Sequence, residues 1–177
     1  MFGWDWYGRL LRIATETAAT KFLGDSPNYE IAAFGYTFEL ANMSPAFSLV
    51  LNSPAFFAKT REEYRKHTPS VSEDDLRWSS GDFEYCALRM SGIVQPVEWE
   101  VDYVSLHEHS CRGSDSFSEV YDGLVRISCE TLAELACRDF FGDWQRIDFI
   151  VAEYSDDKET IKSRHQRIVE IITASSR

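Results

Sequence analysis

The chain has 177 residues, 44% hydrophobic and 27% charged, with 9 glycines and 5 prolines, which excludes fibrous, low-complexity and disordered classes and suits one globular domain over residues 1–177. Its 29 acids against 18 bases leave a formal net charge of −11, which repels a phosphate backbone and sets nucleic acid aside as a partner. Cys86, Cys111, Cys129 and Cys137 form no C-x-x-C pair, no leader pattern opens the chain and no apolar run approaches the ~20 residues of a membrane span, so the expectation is a reduced, cytoplasmic protein with no membrane contact.

Trp6, Tyr7, Leu10, Leu11, Ala14, Ala18 and Phe22 keep helical phase, and the run from Gly24 to Asn28 stops that first helix. Ala32, Phe34, Tyr36, Phe38 and Leu40 then alternate, as do Phe47, Leu49 and Leu51 after the turn-rich Asn42-Met43-Ser44-Pro45, which predicts an antiparallel hairpin over 31–52. Ser53-Pro54 opens a helix reaching about Lys66, with Phe57 and Tyr64 on its buried face. Ser70 and Ser72 stand three residues before Glu73 and Asp75, and Ser80 precedes Asp82 to Glu84 in a similar way, so two short helical starts are expected. Val97 to Tyr103 satisfies both strand and helix periods, and remains open on spacing alone.

Phe117, Val120, Tyr121, Leu124, Ser128, Thr131, Leu132 and Leu135 predict a long helix over about 117–140, closed by Gly142. Cys129 and Cys137 fall inside it as small packing residues. A strand over 146–154, apolar on both sides, reads as central and covered twice. Asp156-Asp157 starts a last helix whose buried stripe is Ile161, Ile168 and Ile172, with Lys162, Arg164 and Arg167 outward. The predicted class is α+β: a small, mostly antiparallel sheet packed by several helices.

Candidate chemistry concentrates between Glu73 and Tyr85, where acids, Arg77 and large aromatics are crowded. Eight acids stand between Glu73 and Asp102 (Glu73, Asp74, Asp75, Asp82, Glu84, Glu98, Glu100 and Asp102) against Arg77 and Arg89. Gathered on one face, they would steer a basic protein partner, with Arg77 ordering the neighbouring acids and Trp78 giving apolar contact. His107-Glu108-His109 with Cys111 lacks the spacing that converges on a metal, so neither metal nor cofactor is expected. No cysteine has the adjacent base of an activated thiol, and no nucleophile elbow, phosphate loop or dinucleotide fingerprint occurs.

Phe34-Gly35-Tyr36-Thr37-Phe38, Leu49-Val50-Leu51-Asn52-Ser53, Arg77-Trp78-Ser79 with Asp82-Phe83-Glu84-Tyr85, and Phe140-Phe141-Gly142 occur in the order found in the bacterial domain-of-unknown-function family 4303, which the chain resembles. It departs from that pattern with Ser80 where a proline is expected and Phe83 where a second tryptophan is expected. The resemblance implies helices around a small sheet and favours helix for 97–109; it brings no catalytic residues. By analogy with small acidic bacterial proteins, the functional expectation is a non-enzymatic protein-binding domain of the immunity-inhibitor type, using Glu73, Asp74, Asp75, Arg77, Trp78, Asp82 and Glu84. The alternatives are a small hydrolase with Asp82 or Glu84 as base and Arg77 as anion stabiliser, and a subunit of a homo-oligomer or larger assembly that hides Trp4 and Trp6.

Overall fold

The computed structural model describes residues 4–39, 46–89, 114–153 and 155–175. In chain order these form α1 (Trp4–Asp25), β1 (Ala33–Glu39), β2 (Ala46–Asn52), α2 (Pro54–His67), α3 (Glu73–Arg77), β3 (Tyr85–Arg89), α4 (Ser114–Cys137), β4 (Asp148–Glu153) and α5 (Lys158–Ser175). The α+β class holds. Among the described residues the sheet has four strands in the order β3-β2-β1-β4. β1 pairs antiparallel with β2 and β2 with β3, while β4 lies parallel to β1. A parallel neighbour needs a crossover, and the chain between β3 and β4 supplies it with α4.

Period-2 side chains divide the sheet into two faces. On one face, Phe34, Tyr36 and Phe38 of β1, Leu49 and Leu51 of β2, and Phe149 and Val151 of β4 meet Tyr7 and Leu11 of α1, Leu124 and Leu132 of α4, and Ile168 and Ile172 of α5. Each fully buried Phe here contributes about 1.5–3 kcal/mol by leaving water. Thr15 on α1 donates to the carbonyl of Leu11 (2.7 Å) and shares a 2.6 Å hydrogen bond with the Tyr36 hydroxyl, so these two buried hydroxyls are satisfied within the layer. Burial raises the Tyr36 pKa and keeps that hydroxyl a neutral donor.

The second face has a thinner cover. Ala33, Val50, Ile150 and Ala152 lie beneath Trp78, Phe83 and Ile161, which come from the end of α3, the turn after it and the start of α5. This explains the doubly apolar reading of 146–154: β4 is buried on both faces, although it sits at the edge of the hydrogen-bonding order and not at its centre.

Several local expectations need correction. The second short helical start is a single 3-10 turn at Ser80–Asp82, after which the chain becomes β3, because the free edge of β2 offers a ladder at Ser48 to Leu51. α2 begins as expected, the Ser53 hydroxyl accepting from the Phe56 amide at 3.2 Å, but none of its residues is fully buried; Phe57 and Tyr64 are only half covered. α4 ends at Cys137 rather than near Phe140, so Cys129 is buried and Cys137 exposed. Burial pushes the Cys129 thiol up to about 11, which makes it a packing residue rather than a nucleophile. After α4, Asp139 and Gly142 take positive φ (58° and 65°) to turn the chain toward β4.

Arg164 is 7% exposed and not on the outer side of α5. Its guanidinium bonds Asp156, the Val151 carbonyl and the Tyr121 hydroxyl. Trp4 is partly buried, edge-on to Tyr7 at 6.3 Å and seated on Gly123, where a Cβ would collide with its ring. The segment 97–109, the Asn42–Pro45 turn and Cys111 lie outside the described residues.

Candidate functional site

Ala33, Asn52 and Asp148 stand side by side across three strands, since Ala33 is in register with both of the others. In-register residues share a face, so Asn52 and Asp148 flank the small Ala33 side chain at the end of the sheet where the Trp78 cover stops. This gap is the floor of a cleft of about 330 Å³. α2 supplies one wall with Pro54, Phe57 and Arg61, α3 supplies another with Glu73 and Arg77, and Arg146 closes the rim from the 3-10 turn before β4.

Charge in the cleft is ordered. Arg77 forks onto Asp148, Nε to Oδ2 at 2.5 Å and Nη2 to Oδ1 at 2.7 Å, and this bonding raises the Arg77 pKa despite partial desolvation. Arg61 Nη1 reaches Glu73 Oε2 at 2.8 Å. Three guanidiniums against two carboxylates give the lining a positive excess on a chain of net charge −11. Asn52 is 3% exposed, and its Oδ1 is buried without a hydrogen-bond partner among the described residues. An acceptor left in that state costs about 1–3 kcal/mol, so a donor arriving there is favoured.

The residues singled out from sequence separate into three groups. Glu73, Asp74 and Asp75 share the first turn of α3, which Ser72 caps through a reciprocal box: its hydroxyl accepts from the Asp75 amide at 3.0 Å, and the Asp75 carboxylate accepts from the Ser72 amide at 3.1 Å. Lys162 reaches Asp74 at 2.5 Å and Lys158 pairs with Asp75, and these hydrogen bonds hold both acids below the usual carboxylate range. Every acid on α3 therefore has a cation beside it: Arg61, Lys162 or Lys158.

Asp82 and Glu84 lie apart from that group. Tyr64 and Ser79 donate to the two Asp82 oxygens at 2.8 and 2.7 Å, and Ser53 donates to Glu84 at 2.7 Å, so both acids tether α2 to the strand that follows. Burial, with Glu84 adding to it, raises the Tyr29 pKa. Neither Asp82 nor Glu84 lines the cleft. Trp78 is 7% exposed and packs edge-on to His165 at 5.3 Å, so it supports α3 from beneath. Glu98, Glu100 and Asp102 lie outside the described residues.

Asn52, Arg61, Asp148, Lys158 and Lys162 were not singled out from sequence. Asp148 carried a signal, as the acid in an otherwise apolar strand; the others read as ordinary surface or strand-end polarity. Among the described residues no cluster of three or more side chains suits a metal ion, and no helix is long and apolar enough to cross a membrane.

His165 gives the site's underside a pH dependence. Its Nδ1 accepts from the Phe149 amide at 3.0 Å, which requires an unprotonated nitrogen, and burial lowers its pKa, with Arg77 adding to the effect and Asp148 opposing it. A histidine depressed in the folded state contributes fully above its unfolded pKa of about 6.5, and that stability is lost as pH falls below it. The unfolding free energy from urea titration is expected to be flat from pH 8 to 7 and to decline below about 6.5, by at most about 1.4 kcal/mol per pH unit from this one proton. His165→Gln, whose side-chain oxygen can accept the same amide, is expected to flatten that limb; an unchanged slope would assign it to other groups.

Comparisons of the chain with family models, curated proteins and solved structures found no match.

Proposed function

We propose that the chain is a non-enzymatic, cytoplasmic binding domain that recognises a protein partner through the face bearing α3. The carrying observation is that Glu73 and Asp74 are solvent-exposed and Asp75 half-exposed, yet each is individually held, by Arg61, Lys162 and Lys158. Charged side chains already fixed in place lose less conformational freedom when a partner docks. Because each acid has a cation beside it, this face presents alternating charge, which favours specificity and register over raw attraction. An immunity-type inhibitor facing a basic toxin domain is the specific form of this reading.

The hydrolase alternative has less support. It requires Arg77 and the carboxylate of Asp82 or Glu84 at one point, whereas Arg77 lines the cleft with Asp148 and both acids serve hydroxyl tethers elsewhere.

The test is co-purification with a basic toxin-like domain encoded beside the gene. Glu73→Lys with Asp74→Lys is expected to weaken capture at least about tenfold, the equivalent of about 1.4 kcal/mol, while circular dichroism stays native. These two positions spare the capping acid Asp75 and so leave α3 able to form. Equal capture by the double variant would remove α3 as the recognition surface.

A further inference from the structure

We propose that the cleft between α2 and α3 binds a small oxyanion, a carboxylate or phosphate group, on a molecule that also presents an O–H or N–H donor to Asn52. The arginines have donors to spare. Arg77 uses Nε and Nη2 on Asp148, Arg61 uses Nη1 on Glu73, and Arg146 uses Nε on Asp143 at 2.9 Å. A guanidinium carries five N–H donors, so each keeps unused ones, and they make no further hydrogen bond among the described residues. Arg146 is 84% exposed at the rim, and its pair with the exposed Asp143 is of the weak surface kind that an occupant can displace.

Glu73 and Asp148 would repel an anion were they bare, but each already faces a guanidinium; the third, Arg146, is paired with Asp143, an exposed acid outside the lining, so the lining itself keeps a positive excess. Asn52 adds the directional element: a buried acceptor with no partner, in the wall of the same cleft. A volume of about 330 Å³ is at the small end for ligand pockets, which selects a small metabolite over a polymer. Pro54, Phe57 and Ala58 provide an apolar side for its carbon skeleton. None of this depends on the protein-partner reading of α3, and the two fail separately: one in capture of a protein, the other in titration with a small molecule.

The experiment is an amide NMR titration with calorimetry, using glycerol 3-phosphate and lactate as probes, acetate as a carboxylate without a hydroxyl, and sodium chloride at matched ionic strength. Saturable shifts centred on Ala33, Asn52 and Asp148 are expected with glycerol 3-phosphate or lactate, and whichever binds more tightly identifies the oxyanion. Lactate should bind more tightly than acetate. Arg61→Gln with Arg146→Ser is expected to lower affinity at least about tenfold, two charge-assisted donors being lost. Arg138→Gln, which alters an exposed arginine paired with Glu16 and Glu134, leaves it unchanged. Shifts that follow ionic strength alone, or an Arg61/Arg146 variant that binds like wild type, would overturn the site; equal affinity for lactate and acetate would overturn the part given to Asn52.

Discussion

Replacing Gly35 by alanine is expected to lower the free energy of unfolding by about 3 kcal/mol or more, and replacing it by valine to abolish folding. Gly35 sits in β1 between β2 and β4, in register with Val50 on one side and Ile150 on the other. A Cβ at this position would stand 2.6 Å from the Ile150 carbonyl carbon and 2.7 Å from its nitrogen, with the carbonyl oxygen closer still. Those atoms are backbone, fixed by the β1–β4 ladder, so nothing can rotate away and the strands must separate. The loss would show as a melting temperature lower by roughly 6–12 °C, given about 2–4 °C per kcal/mol for a chain of this size. Gly24 near the end of α1 is the internal comparison, because a Cβ there meets nothing within 4 Å. Gly24→Ala should therefore stabilise by a few tenths to about 1 kcal/mol through helix propensity and a less flexible unfolded chain. If Gly35→Ala behaved like Gly24→Ala, the close approach of β1 to β4 would be disproved.

The contrast between these glycines shows where sequence stops informing. Alternation in 32–40 and 47–51 locates β1 and β2, because burial of one sheet face imposes period two directly on side-chain type. Ser53-Pro54 and Ser72 through Asp75 are equally readable, since a cap is a contact between near neighbours. β3 left no such trace; Tyr85 to Arg89 is short, and it is a strand because the edge of β2 takes it up. Asn52 likewise reads as the polar end of a strand, and only the register with Ala33 and Asp148 turns it into the wall of a cleft. The acids between 73 and 84 are visible as chemistry, but the cations that hold Asp74 and Asp75, and the acid that Arg77 holds, lie 71 to 88 positions away. Local sequence carries no record of such pairings.

Arg164 was in principle recoverable. It lies three residues after Ile161 and four before Ile168, inside the apolar stripe of α5, so a cation there signals a buried partner. That partner is Asp156, whose two oxygens receive Arg164 Nη1 at 2.5 Å, Arg164 Nη2 at 3.3 Å, the Tyr121 hydroxyl at 2.9 Å and the Glu153 amide at 2.6 Å. The pair joins α5 to α4 and to the end of β4, with both side chains only 9% exposed. A buried ion pair adds little relative to a well-packed apolar substitute, yet breaking it from one side strands a charge. Asp156→Ala, which leaves the guanidinium with only the Val151 carbonyl and Tyr121, is accordingly expected to cost about 3–5 kcal/mol, a large part of the 5–15 kcal/mol typical of a domain. Arg164→Met should cost less, because Asp156 keeps the Tyr121 and Glu153 donors. The double variant Asp156→Ala with Arg164→Met should be more stable than Asp156→Ala alone, since no unpaired charge remains. Urea denaturation of the four proteins reads the cycle directly, and strictly additive losses would mean that Arg164 and Asp156 stabilise the fold independently of one another.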